Sequence, residues 1–199
     1  SDLGCCGHAE TRLKPSARPA PAAGAYLLRR GRPGLRVDFE VHRDADGRSF
    51  SARRVAAIQD GQPIFTMVCS FHAPEETGES LQPTPVQVPS PASMPVEAAR
   101  ALGGCFEVRR EVKEGDEPLE RRAGGRLWVR AVGPLPDDPI LHDCLQFYVS
   151  DLGSPWNAAE SAHLKVMVSL DHAVWLHRPT RMDDWHHIDQ APFPTIDGV

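Results

Sequence analysis

Apolar and polar residues alternate over three consecutive stretches in the first third of the chain. In the first stretch, residues 35–41, every second residue is apolar and those between are charged. This period of two predicts a half-buried strand. Residues 49–59 and 63–72 predict two further strands, and the Asp60-Gly61 pair between them indicates a tight hairpin. Together the three strands predict an antiparallel meander.

A similar alternation over residues 164–176 places an aspartate within a predicted buried strand. Leu170 and Val174 fall on one face, whereas Asp171 and Trp175 share the mixed opposite face. A buried carboxylate is costly unless it is paired or hydrogen-bonded. Asp171 is therefore either a functional residue that meets a ligand or a structural residue that accepts backbone hydrogen bonds at a strand bulge.

A helical pattern follows a strand predicted over residues 126–131. Residues 137–139 are Asp-Asp-Pro, which is typical of a helix cap with proline in the first turn. From Ile140 to Leu152, apolar residues recur with helical spacing. We expect a helix with its apolar stripe in the core, including Leu145 and Tyr148. A last strand is predicted to begin near Asp184.

Two segments lack any periodic pattern. Residues 1–24 show no periodicity, and prolines recur with serine and glutamate between Pro74 and Pro95, as in an extended linker. We expect neither segment to contribute much to the core. The predicted map has four parts: an irregular segment 1–24, a partial first half 25–73, a Pro-rich linker region 74–125 and a second half 126–199.

Composition narrows the classes of function. The chain has 199 residues, a net charge of −5 and 25% charged residues, so it lacks the basic character of a general nucleic-acid binder. Its five cysteines include no C-x-x-C pair and indicate neither a disulfide framework nor a zinc ribbon. No apolar run is long enough for membrane insertion, and no signal-peptide pattern is present. We therefore expect a cytoplasmic protein, and a peroxisomal one only if a C-terminal signal lies beyond Val199.

A metal site at Asp171 and a cysteine nucleophile elsewhere in the chain are two other possible kinds of functional site. Imidazole and carboxylate groups bind zinc, and four histidines lie nearby in sequence. On a strand, however, successive side chains point to opposite faces, so the ligands could not converge without a bulge. We predict no metal site. Cys69 lies in an apolar strand without an activating histidine, which favours a buried structural cysteine over a nucleophile. The four histidines are His172, His177, His186 and His187.

Three separated blocks make the chain resemble the type II acyl-CoA thioesterases. Their order and spacing agree with that family from about Tyr26 to Gln190. The blocks are Asp46–Val55 with Ala57–Phe65 and Phe71-His-Ala-Pro74, then Trp128–Ala131 with Asp137-Asp138 and Tyr148–Asp151, and finally Ser169–His172 with Trp175, His177-Arg-Pro179 and Trp185.

The resemblance implies an α+β double hotdog fold, in which curved antiparallel sheets wrap on a central helix. It also implies that Asp171, a Thr or Ser and a Gln orient a water that attacks the thioester carbonyl. Thr195 lies near the position of the hydroxyl residue, and Gln190 comes too early to be the family's Gln. We expect both halves to be incomplete. Residues 1–24 show nothing like the glycine-rich helix segment that precedes the Tyr26 region in the family, and the Gln strand would follow Val199.

The remaining assignments concern the substrate. Arg53 and Arg54 either bind the phosphates of coenzyme A through their guanidinium forks or are solvated strand arginines. His172, next to Asp171, completes the predicted substrate-binding set. No cofactor is expected, acyl-CoA is the expected partner, and we expect that the chain can form a homo-oligomer.

The sequence thus predicts an acyl-CoA thioesterase that uses Asp171 to activate water. The alternative is a member of the same family that binds acyl-CoA, or assembles with a complete subunit, without turnover. A dehydratase of the same fold would need a His/Asp motif on the central helix. We expect His142 and Asp143 to be exposed on the polar side of the helix, which disfavours them for this motif.

Overall fold

The computed structural model describes residues 22–73, 87–94, 96–97, 104–110, 125–151 and 169–190. Contacts divide the chain into unit 1, residues 1–76 with 170–177, and unit 2, residues 77–169 with 178–199. The elements, in chain order, are strands β1 Ala22–Leu27, β2 Asp38–Asp46, β3 Phe50–Gln59 and β4 Gln62–His72, a 3-10 turn Pro91–Ser93, β5 Val96–Glu97, β6 Phe106–Arg110, β7 Gly125–Ala131, helix α1 Pro139–Ser150, β8 Asp171–Trp175 and β9 His186–Gln190.

Unit 1 contains a five-stranded antiparallel sheet in the order β2-β3-β4-β1-β8. The predicted meander is confirmed as β2, β3 and β4. Its second hairpin turns at Asp60 and Gly61, whose φ angles of 49° and 72° are those of a primed two-residue turn. The glycine supplies the positive φ at low cost, so this turn sets the register of β3 and β4, the longest strand pair among the described residues.

Strand β1 was not predicted. It begins at Ala22, so the last residues of the segment expected to be irregular are in the sheet, between β4 and β8. Ala23 and Ala25 are buried. Short alternating residues such as alanine and glycine carry too weak an apolar signal to indicate a strand. Residues 1–21, the rest of the predicted irregular segment, lie outside the described part of the chain.

Strand β2 differs from its prediction in extent and burial. It begins at Asp38 rather than Leu35, and all nine of its residues are exposed, including Phe39 at 59%. The prediction of a half-buried strand is therefore wrong. Among the described strands, β2 lies at an edge of the sheet, and alternation along a sequence does not distinguish an edge strand from a covered one.

Unit 2 is organised around a second antiparallel sheet in the order β5-β6-β7-β9. The strands predicted near residues 126–131 and 184–188 are confirmed as β7 and β9. Strand β6 was not predicted, since it follows the proline-rich stretch, yet it supplies two buried residues to the core. The core consists of Phe106, Val108, Leu127, Val129, Ala131, Val149 and Met182.

Helix α1 begins where the sequence predicts. The Asp138 side chain accepts a hydrogen bond from the Ile140 N–H at 3.0 Å, and Pro139 occupies the first turn, where its missing N–H costs nothing. The helix is thereby confirmed over Pro139–Ser150, whereas Leu152 lies outside the described residues. No helix in the described part of the chain is long and apolar enough to cross a membrane.

The buried face of α1 is rotated from the predicted one. Leu145 packs against the core, as expected, but Tyr148 is 52% exposed, so its predicted burial is wrong. His142, Asp143 and Val149 are buried instead. The apolar stripe was broad enough to allow several orientations, and the contacts of His142 described below favour this one.

The face of the second sheet opposite the core carries a charged cluster. Glu107 on β6 accepts hydrogen bonds from Arg109, at 2.7 and 2.9 Å, and from Arg130 on β7, at 2.7 and 3.0 Å. Both guanidinium groups lie over the ring of Trp185, with Arg130 4.4 Å from its centroid. The arginines lower the pKa of the Glu107 carboxyl, Arg130 having the larger effect.

Residues 87–94 are tied to this face. Arg109 Nη1 donates to the Pro91 carbonyl at 3.0 Å, and Trp128 Nε1 donates to the Pro89 carbonyl at 3.0 Å. Met94 is buried, so this part of the predicted linker contributes to unit 2. The rest of the proline-rich stretch, residues 74–86 and 95, lies outside the described residues.

Candidate active site

Asp171 is the first residue of β8 and is exposed. The prediction that it lies inside a buried strand is wrong: the described strand starts at Asp171, and residues 164–168 are outside the described part. Strand β8 pairs with β1, which places Asp171 directly opposite Tyr26. The Leu27 N–H donates to the Leu170 carbonyl at 2.9 Å and fixes the chain just before Asp171. A carboxylate at this position is accessible to a water or a substrate.

The alternation on β8 itself is as predicted. Asp171, Ala173 and Trp175 are exposed, whereas His172 and Val174 are half-buried on the other face. His172 therefore points away from the face that carries Asp171, as neighbours on a strand do. The structure does not bring these two predicted site residues together. Within the described part, Asp171 makes no hydrogen bond or ion pair with another side chain.

The register of the sheet defines the surroundings of Asp171. Residues directly opposite one another across antiparallel strands share a face. The row that contains Asp171 continues through Tyr26 on β1 and Thr66 on β4 to Ala56 on β3. With strands about 4.8 Å apart, the Thr66 backbone lies roughly 10 Å from that of Asp171. Sequence reasoning missed this neighbourhood, because only the pairing of distant strands creates it.

Exposed apolar side chains share this face with the aspartate. Tyr26 is 61% exposed and Trp175 is 65% exposed, and Val68 is half exposed two strands away. Large apolar side chains clustered on an exposed face often mark a binding surface. The face thus combines an accessible carboxylate with area suited to an apolar ligand.

Arg53 and Arg54 are both engaged by aspartates. Arg53 forms an ion pair with Asp46 and donates to the Ala45 carbonyl at 2.9 Å. Arg54 Nε lies 3.2 Å from Asp44 Oδ2. As neighbours on β3, the two guanidinium groups leave the strand on opposite faces, so they do not form one phosphate site. Only Arg54 shares the face of Asp171, three strands away.

Thr195, the predicted hydroxyl partner of Asp171, lies outside the described residues. Gln190 ends strand β9. Among the described residues, no group of three or more His, Cys, Asp or Glu side chains is placed to hold a metal ion.

A second polar site lies in unit 2, in a cleft of about 500 Å³. His142 from α1 borders this cleft and is only 3% exposed. The expectation that His142 and Asp143 are exposed is wrong, since both are buried. His142 Nδ1 accepts a hydrogen bond from the Met182 N–H at 3.1 Å. The side chain thus anchors the segment that follows β8, and only its Nε2 faces no partner among the described atoms.

The same segment is fixed by a second contact. Arg181 donates to both carboxylate oxygens of Asp183, at 3.1 and 3.2 Å, and to Asp137 at 2.7 Å. The Leu135 N–H also donates to Asp183. The guanidinium of Arg181, followed by this backbone donor, lowers the pKa of the Asp183 carboxyl to about 2. Asp137 and Arg181 line the cleft, and no sequence motif indicated that Arg181 joins Asp137 to Asp183.

Comparison with known proteins assigns the chain to a family. The pattern of the acyl-CoA thioesterase family matches residues 103–192, and that of the acyl-CoA thioesterase N-terminal domain matches residues 4–72. A crystal structure of an acyl-CoA thioesterase II from Mycobacterium marinum is 34% identical, with a TM-score of 0.76 over 90% of this chain and 71% of that chain. The chain belongs to the type II acyl-CoA thioesterase family.

Further relatives agree with this family assignment. Human acyl-coenzyme A thioesterase 8 is 32% identical over 197 residues, which cover 80% of this chain but 59% of the human protein. The chain thus spans about three fifths of the length of that relative. A hot dog fold protein from Alicyclobacillus acidocaldarius, 17% identical with a TM-score of 0.66, shows the fold alone.

The predicted double hotdog fold is confirmed by the likeness to the Mycobacterium marinum thioesterase structure, and the hot dog fold of the Alicyclobacillus protein agrees with it. The described strands of this family member form two open antiparallel sheets, and one α-helix lies among the described residues.

Proposed function

We propose that this protein hydrolyses acyl-CoA to a free fatty acid and coenzyme A, with Asp171 as the general base. Membership of the type II acyl-CoA thioesterase family supports the reaction class. The observation that carries the assignment of the base is the accessible carboxylate of Asp171, which lies without a described polar partner on an exposed face among Tyr26, Val68 and Trp175. An acyl substrate needs both apolar contact and an accessible base.

The proposed reaction needs no covalent enzyme intermediate. The Asp171 carboxylate accepts a proton from a water as its oxygen attacks the thioester carbonyl carbon. The tetrahedral intermediate then collapses, the carbon–sulfur bond breaks, and the thiolate of coenzyme A takes up the proton from the Asp171 carboxyl group. The products are a carboxylic acid and a free thiol. Thr195 remains the proposed hydroxyl that orients the water, and the Gln partner remains a prediction from the family resemblance.

The alternative function is binding of acyl-CoA, or assembly with a complete subunit, without turnover. It would leave the apolar face and the substrate contacts in use while Asp171 had no chemical role. A cytoplasmic location, a role in fatty acid metabolism and assembly as a homo-oligomer also stay predictions.

The test compares Asp171→Asn with Glu40→Gln. Glu40 is an exposed carboxylate in the same register row and on the same face as Asp171, at the far edge of the sheet. Thiol release from acyl-CoA should fall by about two to four orders of magnitude in Asp171→Asn, as expected for loss of a general base, and should not change in Glu40→Gln.

Melting temperatures of both variants should match the wild type, because neither carboxylate is buried. Unchanged thiol release in Asp171→Asn would overturn the role of Asp171. A wild-type protein that binds acyl-CoA but releases no thiol would favour the alternative.

A further inference from the structure

The loop after β1 contains an unusual concentration of positive charge. Residues 28–37, called here the arginine loop, have the sequence Leu-Arg-Arg-Gly-Arg-Pro-Gly-Leu-Arg-Val. They include four arginines and no acidic residue, in a chain whose net charge is −5. Nearly the whole loop is exposed. Such a local reversal of charge indicates an anionic ligand or partner.

The arginine loop is held in a fixed conformation. Pro33 and Gly34, with φ of 81° at Gly34, form a turn in which the Leu35 N–H donates to the Arg32 carbonyl at 3.4 Å. The buried side chain of Gln59 accepts from the Arg32 N–H at 2.8 Å and donates to the Arg32 carbonyl at 3.1 Å. A loop fixed in this way loses little conformational entropy when it binds a ligand.

Two of the four arginines already have acidic partners. Arg32 forms an ion pair with Asp60, and Arg36 Nε lies 2.7 Å from Asp38. Arg29 donates from Nη1 to the Pro63 carbonyl at 2.6 Å, a contact that orients the guanidinium without neutralising its charge. Arg30 makes no polar side-chain contact with any described residue. The loop therefore presents guanidinium groups with uncompensated charge on two consecutive residues, Arg29 and Arg30.

The position of these groups relates them to Asp171. The Leu27 N–H is bonded to the Leu170 carbonyl, so the arginine loop leaves β1 at the same end of the sheet where β8 begins. Arg30 follows Tyr26, the residue opposite Asp171, by four positions, which is at most about 14 Å of extended chain. Asp171 and the arginine loop both belong to unit 1. A long substrate whose reacting carbonyl lay at Asp171 could reach the loop with its other end.

We propose that Arg29 and Arg30 bind the phosphate groups of the coenzyme A part of the substrate. This inference rests on the proposed function. Coenzyme A carries its phosphates at the end remote from the thioester, separated from it by the pantetheine arm, and guanidinium groups form charge-assisted, often bidentate hydrogen bonds to phosphate oxygens. The structure favours these two arginines over Arg53 and Arg54, which are engaged by Asp46 and Asp44.

The variants that test the proposal are Arg30→Ala and the double variant Arg29→Ala/Arg30→Ala. Arg36→Ala is the matched control, because it removes an exposed arginine of the same loop whose charge is already paired with Asp38. Binding is measured by calorimetry with 3′,5′-ADP, which contains the 3′-phosphate but no thioester. The double variant should bind this probe about ten to a hundred times more weakly, and Arg30→Ala about tenfold more weakly. Arg36→Ala should bind as the wild type does.

A kinetic arm uses two substrates, acyl-CoA and the same acyl group on pantetheine, which lacks the phosphates. The ratio of kcat/KM for acyl-CoA to kcat/KM for acyl-pantetheine should fall about tenfold or more in the double variant and should not change in Arg36→Ala. The difference should shrink as salt is raised, because salt screens exposed charges.

The proposal would be overturned if all three variants bound 3′,5′-ADP as tightly as the wild type does. It would also be overturned if the wild type bound inorganic phosphate as tightly as 3′,5′-ADP, since the loop would then bind any phosphate. If the wild type released no thiol but the loop variants bound 3′,5′-ADP more weakly than the wild type, the proposed hydrolysis would be overturned and phosphate binding by the arginine loop would be supported. The two failures are therefore distinguishable.

Discussion

His142 on helix α1 fixes the backbone of Met182, whose N–H donates to its Nδ1 across 3.1 Å. Met182 is 1% exposed and His142 is 3% exposed, so this hydrogen bond lies away from solvent. Since Nδ1 accepts, the neutral ring has its proton on Nε2. The bond ties the segment between β8 and β9 to the helix within unit 2.

His142→Ala should lower the free energy of unfolding by about 2 to 4 kcal/mol, because it leaves the Met182 N–H without its acceptor and opens a cavity. His142→Asn should recover part of this loss, since Asn Oδ1 can accept the same bond. Urea denaturation measures both. The control is His177→Ala, an exposed histidine that should change stability by less than about 0.5 kcal/mol. Equal effects of His142→Ala and His177→Ala would contradict the anchoring role.

Glu107→Gln should destabilise the protein by about 1 to 2 kcal/mol. The carboxylate accepts four hydrogen bonds from Arg109 and Arg130, and its loss leaves two guanidinium groups near one another without a counter-charge. Asp189→Asn is the control, because Asp189 is an exposed acid on β9 of the same sheet and lies 3.6 Å from Arg126. An exposed pair of this kind should contribute less than about 0.5 kcal/mol. A Glu107→Gln effect no larger than the control would show that the cluster does not stabilise unit 2.

The Asp183 carboxyl should make stability depend on acid pH. Its pKa is lowered from 3.8 to about 2 in the folded protein by Arg181 and the Leu135 N–H. The ionised carboxylate therefore stabilises the fold at pH values above the pKa of the unfolded state, and this stabilisation is lost as the pH falls through the pKa of the folded state. Asp183→Asn should thus be less stable than the wild type at neutral pH, with the difference shrinking between about pH 4 and pH 2. Urea midpoints over this range measure it. A difference that stayed constant with pH would contradict the ionic role of Asp183.

The sequence predicted well those features that depend on neighbouring residues. The β3–β4 hairpin follows from the Asp60-Gly61 pair, and the start of α1 follows from Asp138 and Pro139, since turn and cap chemistry is local. The family resemblance predicted the double hotdog fold from short blocks of sequence.

Features that depend on distant contacts were not predicted. Asp171 has the alternation expected of a strand, but its face of the sheet is open among the described residues, since Tyr26 on the central strand β1 is also exposed there, and only the strand pairing shows this. His142 is polar and was expected on the outer side of the helix. Its ring is instead buried, where it accepts a hydrogen bond from the Met182 N–H, 40 residues further along the chain. Arg53 and Arg54 looked available because their aspartate partners lie on another strand.

The ion pairs of Arg53 and Arg54 with aspartates of β2 help to fix the register of β2 on β3. Burial of apolar side chains normally penalises a strand that slips by one residue, but β2 is exposed along its whole length and gains little from that source. The pairing is irregular between Arg43 and Ala45, which lets Asp44 and Asp46 reach arginines on opposite faces, and a slip of one position would separate both opposite charges at once. Charge complementarity thus selects one alignment of β2 on β3, and this selection should weaken in concentrated salt, where the two strands could shift while β3 and β4 stayed in place.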